Sequence, residues 1–232
     1  MWLPVLLRTI FERLARGRVV WRRLPNGESI AISPDAQLKY LYARFDQDLI
    51  GLARENVTAG MTVWDIGANC GTFSFSCDQA ETVVAVEADS FLAGLLRRSA
   101  AKSKTAVDVI EAAVSDRDGT AEFTIAARGR ASNHLSSLSG YSQTGGERGR
   151  VTVSTITLDT ILAERGPPDF IKIDIEGAEP LALRGASRLL AEARPIIYLE
   201  VTEDTEIELR DVFERADYEL CDLGGNWLAK PR

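Results

Sequence analysis

Hydrophobic and polar positions follow two alternating patterns along this 232-residue chain. Short apolar runs rich in Val and Ile are typical of buried strands, and segments with helical spacing separate them. From residue 60 onward the two patterns succeed each other, which predicts a mostly parallel sheet with helices on both faces. The last two apolar runs flank Gly224-Gly225-Asn226 and predict an antiparallel pair that closes the chain. The predicted strands cover residues 63–66, 82–87, 106–110, 121–126, 169–174, 195–201, 218–221 and 227–228, and the predicted helices cover 91–102, 180–193 and 206–216.

Residues 1–58 do not follow this alternation and are predicted to cap the remaining domain, residues 59–232, as part of one unit. After an amphipathic helix comes a hairpin over residues 18–32 that turns at Asn26-Gly27, and then a helical stretch over 40–54. A basic amphipathic helix can lie on a membrane surface, but packing on its own domain or on a second subunit is commoner. A homo-oligomer formed through this helix therefore stays open. The apolar face of the helix would comprise Leu3, Leu6, Leu7, Ile10 and Leu14.

Composition narrows the class of protein. With 45% hydrophobic residues, a chain of this length can bury a full core as one large domain. The formal net charge of −7 argues against a nucleic-acid partner, which usually meets a basic face. No apolar run approaches the roughly twenty residues of a membrane span. Because Cys70, Cys77 and Cys221 form neither a C-x-x-C pair nor a cluster with histidine, they predict reduced thiols in a cytoplasmic protein and no metal site.

A glycine turn follows the strand at residues 63–66. The motif D-x-G-x-N-x-G contains Asp65, Gly67, Asn69 and Gly71, and a helix-compatible segment, residues 72–79, comes next. Glycine lets a ligand approach the backbone closely, and a helix N-terminus that points at this turn suits an electronegative group. A dinucleotide fingerprint needs glycine at three fixed positions, and two of them hold other residues here. The turn therefore predicts a nucleotide-like cofactor other than a dinucleotide.

A second acid, Glu87, ends the next predicted strand and is followed by Ala88. It lies about twenty residues beyond the first glycine of the turn, the distance at which an acid reaches the ribose hydroxyls of an adenosine. Together with Asp65 at the end of the preceding strand, Glu87 predicts a cofactor site at the carboxyl edge of the sheet.

Further motifs follow in a fixed order. Ala113-Val114-Ser115-Asp116-Arg117-Asp118-Gly119 comes after a strand, Thr157-Leu158-Asp159-Thr160-Ile161 precedes the block Lys172-Ile173-Asp174-Ile175-Glu176-Gly177-Ala178-Glu179, and Leu199-Glu200-Val201 comes after it. With the glycine turn, this set resembles the FkbM family of S-adenosylmethionine-dependent methyltransferases over about residues 60 to 202. The block around Asp174 is the most specific part of the resemblance.

The resemblance implies the Rossmann-like fold of class I methyltransferases and O-methylation of a sugar, glycoside or secondary metabolite. It implies that Asp65 holds the methionine amino group of the cofactor directly or through water, and that Glu87 binds the ribose with Ala88 beside it. The remaining residues that it assigns are Gly67, Asn69 and Gly71 at the methionine and ribose end, Ala113, Val114 and Asp116 around adenine, and Asp174 and Glu176 at the mouth of the active site.

Two residues compete as the base that an alcohol acceptor needs. His134 is the only histidine, and its ordinary pKa near 6.5 suits a base at neutral pH. Asp174 ends a central strand and is therefore better fixed in place. As a carboxylate it accepts a proton or, less expected, binds a divalent cation. Lys172 shares its strand face and is expected to form an ion pair with Asp174 or Glu200.

The segment from Ala127 to Arg150 is rich in Gly and Ser and predicts a long loop without regular structure. Its arginines, Arg128, Arg130, Arg148 and Arg150, suggest an anionic substrate such as a phosphate or a carboxylate. A solvated loop whose arginines have no role is the equal alternative.

Other functions fit less well. An oxidoreductase conflicts with the glycine spacing and with the lack of a Tyr-x-x-x-Lys pair. An N-methyltransferase of the same fold stays open, because an amine acceptor needs less help from a base. The Asn/Asp-Pro-Pro-Tyr motif of many amino-directed methyltransferases is missing, and Asp174-Ile175-Glu176-Gly177 stands in its place, which favours oxygen. A non-catalytic scaffold of the same fold stays open, because intact acids at Asp65 and Glu87 speak for cofactor binding and not for turnover.

Overall fold

A computed structural model describes Leu14 and residues 17–127, 129–138 and 146–232. Apart from Leu14, the predicted N-terminal amphipathic helix lies outside these residues, and so does Arg128. The helices are α1 (Gln47–Asn56), α2 (Ser90–Ala100), α3 (Leu158–Arg165), α4 (Glu179–Arg184) and α5 (Glu206–Arg215). The strands are β1 (Val20–Arg23), β2 (Ser29–Ile32), β3 (Thr62–Ile66), β4 (Thr82–Val86), β5 (Val107–Ile110), β6 (Ala113–Val114), β7 (Gly119–Ala126), β8 (His134–Leu135), β9 (Glu147–Ile156), β10 (Phe170–Ile173), β11 (Ile196–Glu200), β12 (Tyr218–Asp222) and β13 (Asn226–Pro231).

The main sheet has seven strands in the order β12-β13-β11-β10-β3-β4-β5. The strands β11, β10, β3, β4 and β5 are parallel, whereas β13 runs antiparallel to β11 and β12 antiparallel to β13. The chain builds β3, β4 and β5 outward in one direction and places β10 and β11 on the other side of β3. The strand order therefore reverses between β3 and β10, where open α/β sheets bind their ligands. The predicted α/β class, with its antiparallel C-terminal strands, is confirmed.

Alternating side chains of β3 enter two different cores. Val63 packs with α1 residues on one face, whereas Trp64 and Ile66 join a core that contains residues of α3, α4 and α5 on the other face. Because successive side chains of a strand point to opposite faces, a strand covered on both sides is apolar along its length. This explains the continuous apolar runs of the sequence and fixes the strand ends where polar residues begin.

The hairpin of β1 and β2 was predicted correctly and packs on α2, where the Ala31 N–H donates to Ser99 Oγ at 2.8 Å. The helical stretch predicted over residues 40–54 is divided. A short 3₁₀ turn, Leu38–Leu41, precedes α1, and Asp46 between them has a left-handed backbone with φ 45°. A continuous helix cannot pass through that conformation.

The helix predicted over residues 72–79 is a short 3₁₀ turn, Ser74–Ser76. The Ser74 N–H donates to Asp65 Oδ2 at 3.1 Å, and the Asn26 side chain donates to the Phe75 carbonyl at 2.8 Å. The Phe75 carbonyl is the acceptor that a helix continuing to residue 79 would pair with its own N–H, so the bond from Asn26 takes up a group that the longer helix would use. The prediction of a helix whose N-terminus points at a ligand is therefore wrong.

A second sheet includes part of the segment that was predicted as a structureless loop over residues 127–150, namely His134–Leu135 and the start of β9. It has four strands in the order β6-β9-β7-β8. Strand β9 begins at Glu147 and pairs antiparallel with β7, and β8 pairs with the other edge of β7. Residues such as Val151, Thr152 and Val153 favour an extended backbone once β7 offers a partner. The pairing partner is remote in sequence, which the local pattern does not reveal.

The helix predicted over residues 180–193 also divides. Helix α4 ends at Arg184, and a π-helical turn, Leu189–Ala193, follows after Gly185. A Cβ at Gly185 would lie 2.5 Å from the Ser115 carbonyl oxygen, so the chain passes too close to its neighbour for any other residue.

In the part of the chain described, no helix has both the length and the apolar character to span a membrane.

Candidate active site

A cavity opens at the carboxyl ends of β3, β4 and β10, at the point where the strand order reverses. Its empty volume is about 900 Å³, with the mouth included. Three parts of the chain enclose it: the main sheet, the second sheet, and residues 37–49, which we call the cap segment. The predicted site residues in its wall are Asp65, Gly67, Asn69, Glu87, Ala88, Ala113, Val114, Asp174 and Glu176.

The glycine turn after β3 lies against the turn after β10. Gly67 has φ 76°, and a Cβ there would lie 2.0 Å from the Asp174 carbonyl oxygen. Its N–H donates to the Val86 carbonyl at 2.9 Å, which fixes the turn beside β4. Only glycine combines this backbone angle with so close an approach. The turn therefore presents bare backbone to the cavity.

Glu87 connects β4 to the glycine turn. One carboxylate oxygen accepts the Asn69 N–H at 2.8 Å, and the other accepts the Asp89 N–H at 2.8 Å. Burial raises the pKa of Glu87 to about 7, although the two backbone donors favour its charged form. The group is an acceptor held in a fixed orientation, as hydroxyls of a ligand require.

Asp65 has different partners from those implied by the family. Its side chain is 0% exposed, Oδ2 accepts the Ser74 hydroxyl at 2.6 Å, and Oδ1 lies 3.2 Å from Lys172 Nζ. The carboxylate therefore supports the glycine turn, and Lys172 compensates its charge, while Asp65 also forms part of the cavity wall.

Lys172 links the two acids of the site. Its ammonium donates to the Gly67 carbonyl at 2.9 Å and lies 3.5 Å from Asp174 Oδ2, in addition to its contact with Asp65. Although burial works against the charged form, the carboxylates of Asp65 and Asp174 raise the pKa of Lys172 above its usual value. The predicted ion pair with Asp174 is present, and the pair with Asp65 was not foreseen.

Asp174 is the open carboxylate of this cluster. Its side chain is 42% exposed, while its backbone N–H donates to the Ile66 carbonyl at 3.1 Å. Strand β10 and the glycine turn thus fix its backbone and leave its carboxylate at the cavity. A carboxylate in this position can accept a proton from a hydroxyl.

A buried carboxylate stabilises the turn after Asp174. Glu176 has φ 56° and lines the cavity, and the buried Glu179 carboxylate accepts the Ile175 N–H at 2.9 Å. Burial raises the pKa of Glu179 to about 7. The hydrogen bond therefore fixes the backbone of this turn, and Asp174 and Glu176 both line the cavity.

An apolar slot, which the sequence did not predict as a whole, lies beside Glu87. Ala113 and Val114 of β6 form one part, and Phe123 of β7 and Leu135 of β8 form another. Flat apolar walls of this kind accept an aromatic ring. The alternation of apolar residues in β7 was a signal for Phe123, whereas the two-residue strand β8 offered none.

Three predicted residues lie outside the cavity wall. His134 is buried on β8, with Nδ1 3.2 Å from the Ser132 carbonyl, while its neighbours Asn133 and Leu135 line the cavity. Successive strand residues point to opposite sides, so the neighbours exclude His134 from the wall. At Gly71, a Cβ would lie 2.6 Å from the Phe75 ring, which makes its role one of packing. Asp116 accepts a bond from the Ser115 hydroxyl at 3.3 Å.

The arginines of the predicted loop are paired with acids. Arg148 makes two hydrogen bonds to Asp35, at 2.9 and 2.8 Å, and Arg130 bonds to Asp35 and to Asp89. Although burial opposes ionisation, the hydrogen bonds from Arg148 and Arg130 lower the pKa of Asp35. Arg150 pairs with the exposed Glu147 at 3.0 Å. These guanidinium groups join parts of the fold, and their charge is compensated there.

The cap segment supplies wall residues that the sequence did not predict. Lys39 and Asp46 form an ion pair of 2.5 Å, and the Thr72 hydroxyl donates to Asp46 at 2.9 Å. The Tyr40 hydroxyl lies 3.4 Å from Asn69 Oδ1. These contacts tie the cap segment to the glycine turn. They are remote in sequence, and no local pattern marks them.

Known proteins similar to this chain are methyltransferases. A family model described as the methyltransferase FkbM domain matches residues 65–220. The hexuronic acid methyltransferase AglP of Haloferax volcanii is 27% identical over 159 residues, which cover 66% of this chain and 62% of the relative. The chain therefore aligns with less than two thirds of that protein.

Two solved structures share the fold. The methyltransferase FkbM of Methylobacillus flagellatus KT is 18% identical with a TM-score of 0.51, and the match covers 74% of this chain and 43% of that one. A 16S rRNA methyltransferase (RsmC) of T. thermophilus, solved in complex with AdoMet and guanosine, is 13% identical with a TM-score of 0.55. That match covers 93% of this chain and 50% of the other. At these identities the likeness concerns the fold alone.

Proposed function

This chain belongs to the FkbM methyltransferase family, and we propose that it transfers a methyl group from S-adenosylmethionine to a hydroxyl oxygen of a sugar or glycoside. The cofactor follows from the family. The proposal concerns the residues that bind it, the oxygen-directed chemistry and the class of acceptor.

The cavity fits S-adenosylmethionine at three points. Glu87, whose oxygens retain free lone pairs beside the backbone donors, accepts the ribose hydroxyls. Ala113, Val114 and Phe123 offer apolar walls to adenine. At Gly67 the missing side chain allows close approach to the backbone. We assign cofactor binding to Gly67, Asn69, Glu87, Ala88, Ala113 and Val114.

When bound, S-adenosylmethionine supplies a methyl group that its sulfonium already activates. The protein must orient the acceptor and take up its proton, because an alcohol is a poor nucleophile. We propose that Asp174 accepts the proton of the acceptor hydroxyl. The observation that carries this proposal is the exposed Asp174 carboxylate beside the glycine turn. Lys172, 3.5 Å away, fixes its orientation, and Glu176 accepts hydrogen bonds from other hydroxyls of the acceptor.

A sugar acceptor is supported by the Haloferax volcanii relative, whose name specifies a hexuronic acid. Polar groups line the cavity near Asp174, as recognition of several hydroxyls requires. His134 is not needed in this account, since the cavity wall does not include it.

The test is a methyl-transfer assay with a glucuronic acid glycoside, the matched glucoside and the matched amino sugar, with the product identified by mass spectrometry. We expect an alkali-stable methyl ether. Asp174→Asn should lower turnover by about 10²–10⁴-fold, the usual contribution of a positioned base, and leave affinity for S-adenosylhomocysteine nearly unchanged. His134→Ala is the matched control and should retain turnover. An alkali-labile methyl ester, a methylamine, or an active Asp174→Asn variant would contradict the proposal.

A further inference from the structure

The ion pair between Lys39 and Asp46 lies in the cavity wall and has no part in the mechanism above. The Lys39 side chain is 41% exposed, whereas that of Asp46 is 3% exposed. Thr72, which also lines the cavity, donates its hydroxyl to Asp46 Oδ2. A lysine that can move and an aspartate that is fixed thus face the same space.

Asp46 is held firmly. Its backbone is left-handed, with φ 45°, and its carbonyl accepts the Ile50 N–H at 3.0 Å in the first turn of α1. Such a backbone conformation suits Asp and Asn better than most residues. The carboxylate is therefore positioned before any ligand arrives.

Among the described residues of the wall, the basic side chains are those of Lys39, Arg130 and Lys172. Arg130 is committed to Asp35 and Asp89, and Lys172 is 3% exposed between two carboxylates. Lys39 is the basic side chain with the greatest exposure. It is the cation best able to reach a carboxylate in the cavity.

The amino-acid end of S-adenosylmethionine carries one ammonium and one carboxylate. Asp65, the residue that the family assigns to the ammonium, lines the cavity, but its carboxylate already accepts the Ser74 hydroxyl and lies 3.2 Å from the Lys172 ammonium. We infer that the Lys39–Asp46 pair binds this end of the cofactor, with Lys39 on the α-carboxylate and Asp46 on the α-ammonium. The inference rests on the proposed function to the extent that S-adenosylmethionine is the ligand.

Charge balance favours this arrangement. The zwitterionic amino-acid end, inserted between Lys39 and Asp46, replaces one ion pair with two and by itself adds no net charge to the cavity. Charge-assisted hydrogen bonds are stronger than neutral ones, so the pair would discriminate against ligands that lack the amino-acid end.

The experiment compares S-adenosylhomocysteine with 5′-methylthioadenosine, which has the same adenosine but no amino-acid end. Calorimetric titration is made with the wild-type protein, Lys39→Met, Asp46→Asn and Lys102→Met. Met keeps the aliphatic stem of lysine, and Asn tolerates the left-handed backbone, so both variants are expected to fold. Lys102, which lies over the Trp21 ring outside the cavity, is the matched control.

We expect Lys39→Met and Asp46→Asn each to weaken S-adenosylhomocysteine at least tenfold and to change methylthioadenosine less than twofold. Lys102→Met should change neither. An S-adenosylhomocysteine affinity within twofold of wild type in Lys39→Met would overturn the inference. Equal losses for both ligands would do so as well, because the pair would then only shape the cap segment. If the folded wild-type protein binds neither ligand, the proposed function itself fails.

Discussion

At the scale of the residue, Glu87 combines two properties that rarely coexist. It is buried enough for its pKa to rise to about 7, and yet it is oriented by two backbone N–H groups toward the cavity. Hydroxyl donors favour the ionised carboxylate. If Glu87 binds the adenosine ribose, as proposed above, binding lowers the pKa of Glu87, and the affinity then depends on pH near neutrality.

We predict that S-adenosylhomocysteine binds roughly tenfold more tightly at pH 8 than at pH 6, because a pKa near 7 leaves most Glu87 side chains protonated at the lower pH. Calorimetry across this range measures the effect. Glu87→Gln should bind weakly with no such slope, whereas the exposed Glu122→Gln should keep it. An equal slope in Glu87→Gln would assign the titration to the ligand or to another group.

The same shift affects the stability of the free protein. The folded pKa of Glu87 lies above the ordinary value of 4.5. The contribution of neutral Glu87 to stability is thus complete below 4.5 and is lost as the pH rises through about 7. The affinity for the ligand, in contrast, rises with pH, because binding favours the charged form of Glu87. Measurements of stability and of affinity against pH therefore distinguish the two effects.

At the scale of the element, the Asp35 carboxylate joins the loop after β2 to the second sheet. It is buried and accepts hydrogen bonds from both Arg130 and Arg148. Removal of one partner from a buried ion pair leaves an uncompensated charge, which costs more than the pair itself contributes.

We predict that Asp35→Ala lowers the free energy of unfolding by about 3 kcal/mol. Arg150→Leu, which breaks an exposed pair with Glu147, should leave the free energy of unfolding nearly unchanged. Urea unfolding of both variants and of Arg148→Leu and the Asp35→Ala/Arg148→Leu double variant measures the coupling. Additive losses for Asp35 and Arg148 would show that the two side chains do not interact energetically.

The sequence predicted elements where its signals were local. Continuous apolar runs identified β3, β4 and β10, and Asn26-Gly27 identified the hairpin, because strand burial and turn geometry depend on neighbouring residues. The second sheet escaped prediction, since β8 and the start of β9 depend on pairing with β7. The helix predicted over residues 72–79 is absent for a similar reason, because the remote Asn26 side chain bonds to the Phe75 carbonyl, which the longer helix would pair internally.

Residues of the candidate site were likewise predictable where local patterns or the order of the strands determine their position. Gly67, Glu87 and Asp174 end parallel strands, so their convergence at one sheet edge follows from topology. Lys172 was expected beside Asp174 from strand periodicity, and it lies there. The contacts of Asp46 with Thr72 and of Tyr40 with Asn69 cross from the cap segment to the glycine turn and have no local signature. His134 was chosen for its chemistry, and the direction of its side chain in β8 places it outside the wall.

At the scale of the whole molecule, three parts of the chain meet at one cavity. The main sheet contributes acids at strand ends, the second sheet contributes apolar walls, and the cap segment contributes an ion pair. In the proposed binding mode, each part contacts a different portion of S-adenosylmethionine: the ribose, the adenine and the amino-acid end. The methyl acceptor would then bind on the side of the cavity where Asp174 and Glu176 lie.

Calorimetric titration of the wild-type protein with S-adenosylhomocysteine shows whether this cavity binds S-adenosylmethionine. We predict one ligand per chain with micromolar affinity, together with a raised melting temperature, since a ligand that binds only the folded state stabilises it. Folded protein that releases no heat and shows no shift in melting temperature would contradict the account.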